Sequence, residues 1–189
     1  FLTSGFGVGV QMQGLNPDYT LILIDGEPLT GRTSGVLDLN RVTTGNIKKI
    51  EIVKGPSSSL YGSEALAGVI NIITDKSYDK KLNISARYGT YNSLDANINA
   101  AGRIGKAGIN VFFNQYNTDG YSIRPFSVER SKLPVSRSTP QLQFNYPFSN
   151  KTSINLSLRY NYEHIKNELA VSNNGQITLS KGREINKDL

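Results

Sequence analysis

The sequence contains no cysteine and no tryptophan, and only one histidine and one methionine among 189 residues. Without cysteine, neither a disulfide framework nor a thiolate metal site is possible. A histidine-based catalytic triad would have to use His164. The carboxylates show no spaced pair suited to acid–base catalysis and no cluster dense enough for a calcium loop. We therefore predict no catalytic residue, no metal site and no cofactor, and expect the protein not to be an enzyme.

The sequence also lacks any apolar run of the roughly 20 residues that a membrane helix needs. Any membrane crossing must therefore be made by strands. The net charge is +6, but the basic residues are scattered without an aromatic-basic stripe, so nucleic acid is not an expected partner. No signal peptide is recognisable and the chain begins in what reads as mid-domain, so we expect it to be cut from a longer precursor.

The most informative stretch extends from residue 47 to residue 75. Ile47–Val53 has the β-branched pattern of a strand, and Gly55-Pro56 ends it because proline has no N–H to donate. Leu60–Leu66 is predicted to form a short helix, which Gly68 ends. Val69–Ile73 is typical of a strand buried on both faces.

The residues before this stretch add a strand and a turn. Tyr19–Ile24 is predicted to be a strand, and Asp25-Gly26 a tight turn at its end. Leu37–Val42 is predicted to form one helical turn. The first part of the chain is therefore expected to be a small α+β unit, a mixed sheet with short helices.

The sequence pattern changes at Leu82, where apolar and polar residues begin to alternate with a period of two. The alternation is less clean where Phe112 and Phe113 are adjacent. About five segments of roughly 9–11 residues follow, the length of a membrane-crossing strand. The predicted strands are Leu82–Gly89, Leu94–Arg103, Ile109–Asn117, Gln141–Phe148 and Ser153–His164.

Alternation alone fits either a soluble sandwich or an outer-membrane barrel. Three features favour the barrel, and the first is the length of the strands. Tyrosines gather near the strand ends, as an interfacial girdle requires, and short connections such as Gly105–Gly108 alternate with long ones such as Asp119–Thr139. A third long loop is expected around Asn173–Leu179, with Asn174-Gly175 as a hairpin turn.

Two groups of motifs resemble the plug domain of TonB-dependent outer-membrane receptors. Leu23-Ile24-Asp25-Gly26 resembles the plug's strand and turn, while Lys54-Gly55-Pro56-Ser57, Leu60-Tyr61-Gly62-Ser63 and Gly68–Thr74 resemble its closing signature. The resemblance is nearest to the cobalamin and haem receptors. It implies an α+β plug segment over residues 1–76, followed over residues 77–189 by antiparallel strands of a transmembrane β-barrel. Five strands cannot close a barrel that has about 22 strands in plugged transporters, so the remaining strands are expected elsewhere.

The resemblance also implies function and partners. It implies energy-coupled uptake of a scarce nutrient such as cobalamin, haem or a ferric siderophore across the outer membrane of a Gram-negative bacterium. The implied partners are this small-molecule ligand, outer-membrane lipid and a TonB-type energy-transducing protein, which would bind through a region outside this chain. The alternatives are a soluble β-sandwich binding module and a non-transporting structural subunit of an outer-membrane assembly.

Three groups of residues are candidates for function. For Glu51 and Lys54, the alternatives are a lock between plug and barrel or a solvated pair at a strand end. His164 is expected at a strand end beside tyrosines, with haem ligation as the alternative. The ligand-contact candidates, for which loop packing is the alternative, are Phe6, Arg32, Thr33, Ser34 and Tyr121. The residues expected to give the plug its shape are Asp25, Gly26, Gly55, Pro56, Tyr61, Gly62 and Gly68.

Overall fold

A computed structural model describes residues 2–4, 7–29, 39, 42–55, 61–62, 65–122, 132–149, 151–173 and 176–188. The chain divides into two compact units, Phe1–Lys76 and Ser77–Leu189. Within the described residues, no helix is both long and apolar enough to cross a membrane.

The first unit contains a hairpin and a mixed four-stranded sheet. The hairpin pairs β1 (Leu2–Ser4) with β2 (Gly7–Gly9), and a short 3-10 helix, Pro17–Tyr19, precedes the sheet. The sheet has the order β4-β3-β6-β5, with β3 and β6 parallel and the other pairs antiparallel. Its strands are β3 (Thr20–Ile24), β4 (Glu27–Pro28), β5 (Ile47–Lys54) and β6 (Gly68–Thr74).

The mixed sheet confirms the expectation from sequence, but β6, which was predicted to be buried on both faces, is only partly buried, and the described residues contain little helix. The strand β3 is buried on both faces, with Leu21 and Leu23 in one apolar cluster and Ile22 and Ile24 in the other. The 3-10 helix is the one complete helical element among the described residues. The predicted helix Leu60–Leu66 and the turn Leu37–Val42 fall mostly outside the described residues.

Asp25 ties the turn after β3 to the end of β6. Asp25 and Gly26 both have positive φ, 55° and 91°, as a tight hairpin turn requires. One carboxylate oxygen, Oδ1, accepts from the Thr74 amide at 2.9 Å, and Oδ2 accepts from the Thr74 hydroxyl at 2.6 Å. Lys76 adds an ion pair at 3.5 Å, and the Gly26 amide donates to Asn71 Oδ1 at 3.1 Å. The Asp-Gly pair therefore fixes both the turn and the neighbouring strand.

Gly68 is required because β5 and β6 approach closely at that point. Its φ is +146°, and a Cβ there would lie 2.3 Å from the Val53 carbonyl oxygen and 2.8 Å from Met12 Cε. Neither the conformation nor the space admits a side chain. The glycine at the start of β6 is therefore required for steric reasons.

The second unit is one antiparallel sheet of seven strands, in the order β13-β12-β10-β9-β8-β7, with β11 also paired to β10. We expected about five strands. Two differences account for the change, a division of one predicted strand and an additional strand at the end of the chain. The strands are β7 (Lys81–Gly89), β8 (Ser93–Ile104), β9 (Ala107–Thr118), β10 (Val135–Ser149), β11 (Thr152–Arg159), β12 (Asn161–Asn173) and β13 (Gln176–Asp188).

The predicted strand Ser153–His164 is divided at Tyr160. The register on β10 does not change across the division, since Gln141 pairs with Arg159 and Ser138 with Tyr162. Tyr160 N–H donates to the Pro140 carbonyl at 3.1 Å, but Pro140 has no N–H to complete the reciprocal bond. β11 and β12 therefore follow one path with a gap in the hydrogen-bond ladder.

β13 was predicted to be part of a loop. It pairs with β12 along its whole length, from Asn161 opposite Asp188 to Asn173 opposite Gln176. The connection is residues 174–175, where the hairpin turn was expected, and these two residues lie outside the described part. β13 carries few apolar residues, so the periodicity that revealed the other strands was too weak here.

In this sheet the apolar face is exposed and the polar face is buried, which is the opposite of the arrangement in a soluble protein. The exposed face carries Val111, Phe113 and Leu142, which are 45%, 40% and 38% exposed. The alternate positions form the buried face and are mostly polar. Phe112 lies on the buried face and Phe113 on the exposed one, which resolves the irregularity in the sequence pattern. The buried polar residues are Asn99, Asn110, Asn114, Thr118, Arg137, Thr139, Gln141, Gln143, Asn161 and Glu163.

Candidate functional site

Of the predicted ligand contacts, only Tyr121 lies within the described residues. Phe6, Arg32, Thr33 and Ser34 lie outside them, as does Pro56. The ring of Tyr121 stacks on Tyr91, with 5.1 Å between the ring centroids and 29° between the planes. Tyr121 also exchanges two backbone hydrogen bonds with Lys132, at 3.0 Å and 2.9 Å. It therefore lies at the base of the long β9–β10 connection, beside the β7–β8 turn.

Further hydrogen bonds join the β7–β8 turn to the end of β9. Tyr91 and Asn92 both have positive φ, 60° and 49°. The Asp119 amide donates to the Tyr91 carbonyl at 2.9 Å, and Asn92 Nδ2 donates to Asp119 Oδ2 at 2.6 Å. The Tyr88 hydroxyl donates to Asn92 Oδ1 at 2.6 Å. Two separate connections are thus held together at one end of the sheet, with the Tyr91 ring 56% exposed beside them.

A row of four charged residues and one tyrosine crosses the buried face just inside this end. The strand register aligns Arg87 with Asp95, Asp95 with Tyr116, Tyr116 with Arg137 and Arg137 with Glu163. Arg87 pairs with Asp95 at 2.7 Å, and Arg137 Nε donates to Glu163 Oε2 at 2.7 Å. We call these five residues the charged row.

The charged row is joined to the β9–β10 connection through Tyr116. Lys132 Nζ lies 5.5 Å from the centroid of the Tyr116 ring and donates to its hydroxyl at 3.1 Å. The Arg137 guanidinium carbon lies 5.9 Å from the same centroid. Arg137, Glu163 and Lys132 were not predicted as functional residues from the sequence. For Glu163 a signal existed, since it is a charge at a position that alternation assigns to the buried face. Arg137 gave none, because the sequence predicted a long connection over Asp119–Thr139, whereas β10 begins at Val135.

The predicted lock residues both lie on β5, an edge strand of the first sheet. Glu51 accepts a hydrogen bond from Lys49 Nζ at 2.5 Å, and both side chains are about half exposed. Among the described residues Glu51 thus has a partner on its own strand. A lock formed by Glu51 and Lys54 remains a prediction.

The remaining motif residues lie at chain reversals. Gly55 and Gly62 have φ of +100° and +80°, which favours glycine. The Gly55 amide donates to the Ala67 carbonyl at 3.2 Å, and the Ala65 amide donates to the Gly62 carbonyl at 3.2 Å. Tyr61 is 46% exposed.

His164 lies on the exposed face of β12, at the rim of a cleft of about 190 Å³. Its Nε2 is buried and has no hydrogen-bond partner within the described part of the chain. No group of three or more residues of the metal-binding types occurs among the described residues. The aromatic rings, hydrogen-bonding groups and charged side chains at this end of the second sheet can bind a ligand by stacking, hydrogen bonding and ionic attraction.

Comparison with known proteins locates the first unit in a family. Residues 2–69 match the family model described as TonB-dependent Receptor Plug Domain. The chain is 35% identical over 116 residues to the vitamin B12 transporter BtuB of Vibrio cholerae serotype O1, an overlap of 60% of this chain and 19% of that protein. Its identity to BtuB of Vibrio vulnificus is 29% over 158 residues, which cover 79% of this chain and 25% of the relative. The chain thus spans about a fifth to a quarter of the length of these relatives.

Solved structures show the same fold. The ferric-catecholate import receptor Fiu of E. coli K12 aligns with a TM-score of 0.61 and 21% identity, over 79% of this chain and 21% of that one. The pyoverdine outer membrane receptor FpvA of Pseudomonas aeruginosa PAO1 aligns with a TM-score of 0.60 and 15% identity, over 77% of this chain and 21% of that one.

Proposed function

This chain belongs to the TonB-dependent outer-membrane receptors, and we propose that it forms part of a transporter for a scarce nutrient. In this proposal residues 1–76 are the C-terminal part of the plug and residues 77–189 are the first strands of the barrel wall. The plug closes the barrel until ligand binds at the outer face. A TonB-type protein at the periplasmic face then remodels the plug, through a region outside this chain.

The observation that carries the proposal is the reversed sheet of the second unit. Apolar residues such as Val111 and Phe113 are exposed, while polar residues such as Asn110 and Asn114 are buried. An outer-membrane barrel has this arrangement because its outside meets hydrocarbon and its interior is polar. A soluble sandwich buries the apolar side instead. The sandwich alternative is therefore not favoured.

The ligand is proposed to contact the cluster of Tyr91, Tyr121 and Lys132 in the second unit. Tyr91 and Tyr121 stack where two connections meet at one end of the sheet, and the Lys132 ammonium lies over the Tyr116 ring. Aromatic faces and a cation suit a large, partly aromatic or anionic molecule. Arg32, Thr33, Ser34 and Phe6 are proposed as the plug's contribution. Glu51 and Lys54 are proposed as lock residues of the plug.

Cobalamin is the first ligand to test, since the relatives named above are vitamin B12 transporters. Haem and ferric siderophores are the next candidate ligands to test. The experiment measures uptake of radiolabelled cyanocobalamin, haem and a ferric siderophore by cells that depend on the full-length receptor. We expect accumulation of one ligand, abolished by a protonophore, which removes energy coupling. Equal accumulation with and without the receptor for all three ligands would contradict the proposal.

A non-transporting structural subunit is the remaining alternative. It predicts that the receptor stays in the outer membrane and that its loss changes the composition of a larger assembly without changing nutrient uptake. The uptake assay separates the two functions directly.

A further inference from the structure

The chain passes from the first unit to the second after Lys76. The last residues of the first unit are held within it, since the Asp75 amide donates to the Asn46 carbonyl at 2.8 Å. β7 begins at Lys81, so residues 77–80 alone lie between the boundary and the first strand of the second sheet. We call these residues the connection. What holds the connection decides how far a movement of the first unit can extend along the chain.

Two contacts fix the connection to the buried face of β9. The Asn110 side chain, which is 3% exposed, donates from Nδ2 to the Ser77 carbonyl at 3.2 Å. The Tyr78 ring lies against Gly108, because a Cβ added to Gly108 would be 2.5 Å from Tyr78 Cγ and 2.8 Å from Cδ1. Carbon atoms in contact are about 3.5–4.0 Å apart. The ring therefore occupies the space that a side chain at residue 108 would need.

Gly108 is required by this ring and not by its own backbone. Its φ lies outside the left-handed region, so its conformation is open to any residue. Gly102 on the neighbouring strand β8 also has an ordinary φ, but a Cβ added there would meet nothing within 4 Å. Burial raises the pKa of Tyr78, as expected for a ring that is partly withdrawn from water.

The connection is a turn and not an extended linker. Ser77 Oγ donates to Asp79 Oδ2 at 3.3 Å and accepts from the Asp79 amide at 3.3 Å. Local hydrogen bonds of this kind between a side chain and the backbone stabilise turns. The turn thus holds the Ser77 carbonyl and the Tyr78 ring in place for their contacts with β9.

We propose that Tyr78 is a positioning residue that anchors the connection to the wall, so that remodelling of the plug ends at residue 76 and does not extend into β7. The inference rests on the proposed function, in which a TonB-type protein remodels the plug. A pull that reached Lys81 would act on the end of β7 and break its hydrogen bonds to β8 one after another. The anchor precedes that point in the chain. It lies on β9, which is hydrogen-bonded to β8 on one side and to β10 on the other.

The first test pulls on the N-terminus of the full-length receptor in a lipid bilayer with an atomic force microscope. In the wild type we expect a final force peak when the chain is extended to residue 76. Tyr78→Ala and Gly108→Ala should each lower the force of that peak, and extension should then continue through residues 77–89, by about 45 Å. The double variant Tyr78→Ala/Gly108→Ala should behave like Tyr78→Ala, because both changes remove one contact. Gly102→Ala is the matched control and should leave the peak unchanged.

The second test locks the anchor with a disulfide. Tyr78 Cβ lies 2.9 Å from the Cβ position at residue 108, and a disulfide joins Cβ atoms about 3.5–4.5 Å apart. Tyr78→Cys/Gly108→Cys is made in a full-length receptor that has no other cysteine. Since the connection stays on the wall in this proposal, the oxidised variant should take up cyanocobalamin, haem or ferric siderophore, whichever the wild type accumulates, at the wild-type rate.

The third test separates binding from transport. Gly108 and Thr118 lie at opposite ends of β9, about 35 Å apart along the strand, and the proposed ligand contacts are at the end of Thr118. Tyr78→Ala should therefore keep the wild-type dissociation constant for the accumulated nutrient and lower its maximal uptake rate, since β7 would have to be rebuilt in each cycle. Tyr78→Phe keeps the ring and should restore the rate.

Three results would overturn the proposal. The first is loss of uptake on oxidation of the cysteine pair with recovery in dithiothreitol, because the connection would then have to leave the wall. The second is an unchanged force curve in Tyr78→Ala, and the third is an equal change in Gly108→Ala and Gly102→Ala. The force measurement uses no nutrient, so it tests the anchor independently of transport. Absence of uptake by the wild type would contradict the proposed function alone.

Discussion

Arg137 on β10 and Glu163 on β12 lie directly opposite each other and form an ion pair on the buried face of the second sheet. Both side chains are nearly inaccessible, at 6% and 1% exposure. Arg87 and Asp95 form a second pair in the same row, but the Arg87 side chain is 69% exposed. The charged row thus contains one buried and one exposed arginine–carboxylate pair. Comparing the two pairs shows how burial changes the contribution of such a pair to stability.

Removal of Arg137 should destabilise the sheet far more than removal of Arg87. Arg137→Met removes the guanidinium group that pairs with the buried Glu163 carboxylate and should lower the free energy of unfolding by about 3–5 kcal/mol. Arg87→Met breaks an exposed pair and should cost less than about 1 kcal/mol. Urea unfolding of the full-length receptor in detergent measures both. The double variant Arg137→Met/Glu163→Leu should recover much of the loss, and equal effects of the two single variants would contradict the account.

Gly68 and Gly26 separate steric exclusion from backbone conformation. Both have positive φ, but a Cβ at Gly68 would meet the Val53 carbonyl, whereas one at Gly26 meets nothing within 4 Å. Gly68→Ala should cost more than about 2 kcal/mol, since strain and overpacking add, and Gly26→Ala about 1 kcal/mol. Loss of amide hydrogen-exchange protection in β5 and β6 reports the difference. Similar losses in both variants would show that β5 and β6 do not approach as described.

Asp25 should act through Thr74. Asp25→Ala leaves the Thr74 amide and hydroxyl without the acceptors described above, and Thr74 is 3% exposed. We expect a loss of about 2 kcal/mol, measured as faster amide exchange at Thr74. Asp79→Ala is the control, because Asp79 interacts with Ser77 at the surface. An unchanged exchange rate at Thr74 would rule out this role.

Tyr78 gives a prediction at alkaline pH. Its ring lies against Gly108, where an added Cβ would be 2.5 Å from Tyr78 Cγ. Burial raises the pKa of Tyr78 above its ordinary value of 10.0. The unfolded state therefore loses this proton at lower pH than the folded state. The contribution of Tyr78 to stability is complete below pH 10 and declines as the pH rises above it. Unfolding midpoints between pH 8 and pH 11 should show this decline in the wild type and less of it in Tyr78→Phe.

The elements that could be predicted from the sequence are those determined by the local conformational preferences of their own residues. The β-branched run of β6, the Asp25-Gly26 turn and the alternation of β7 to β10 each reflect a preference of the residues themselves. The register was not predictable in the same way, because it depends on which strands pair. The charged row exists only through that register, so Arg137 and Glu163 were missed: Glu163 is visible as an unusual charge, but Arg137 lies in a stretch that was predicted to be a long connection.

The end of the second sheet was misjudged for a different reason. In Gln176–Asp188 the alternation is between polar residues of different charge, with few apolar residues to mark a face. This segment pairs with β12 along its whole length. Backbone hydrogen bonds to the neighbouring strand therefore make it a strand, although its own sequence pattern is weak. Pro140 shows the opposite case, where one local property, the missing N–H, interrupts a strand that the sequence pattern made continuous.

The central claim is that the second sheet is a wall with its apolar face toward lipid, and its alternation can be measured residue by residue. Single cysteines are spin-labelled at Val111, Phe112 and Phe113 in a full-length receptor that has no other cysteine, in lipid bilayers; this chain itself contributes none. We predict that labels at 111 and 113 collide readily with oxygen dissolved in hydrocarbon, while the label at 112 is shielded from it. Access to oxygen at 112 with shielding at 111 and 113, or uniform access to a water-soluble nickel relaxant, would contradict the account.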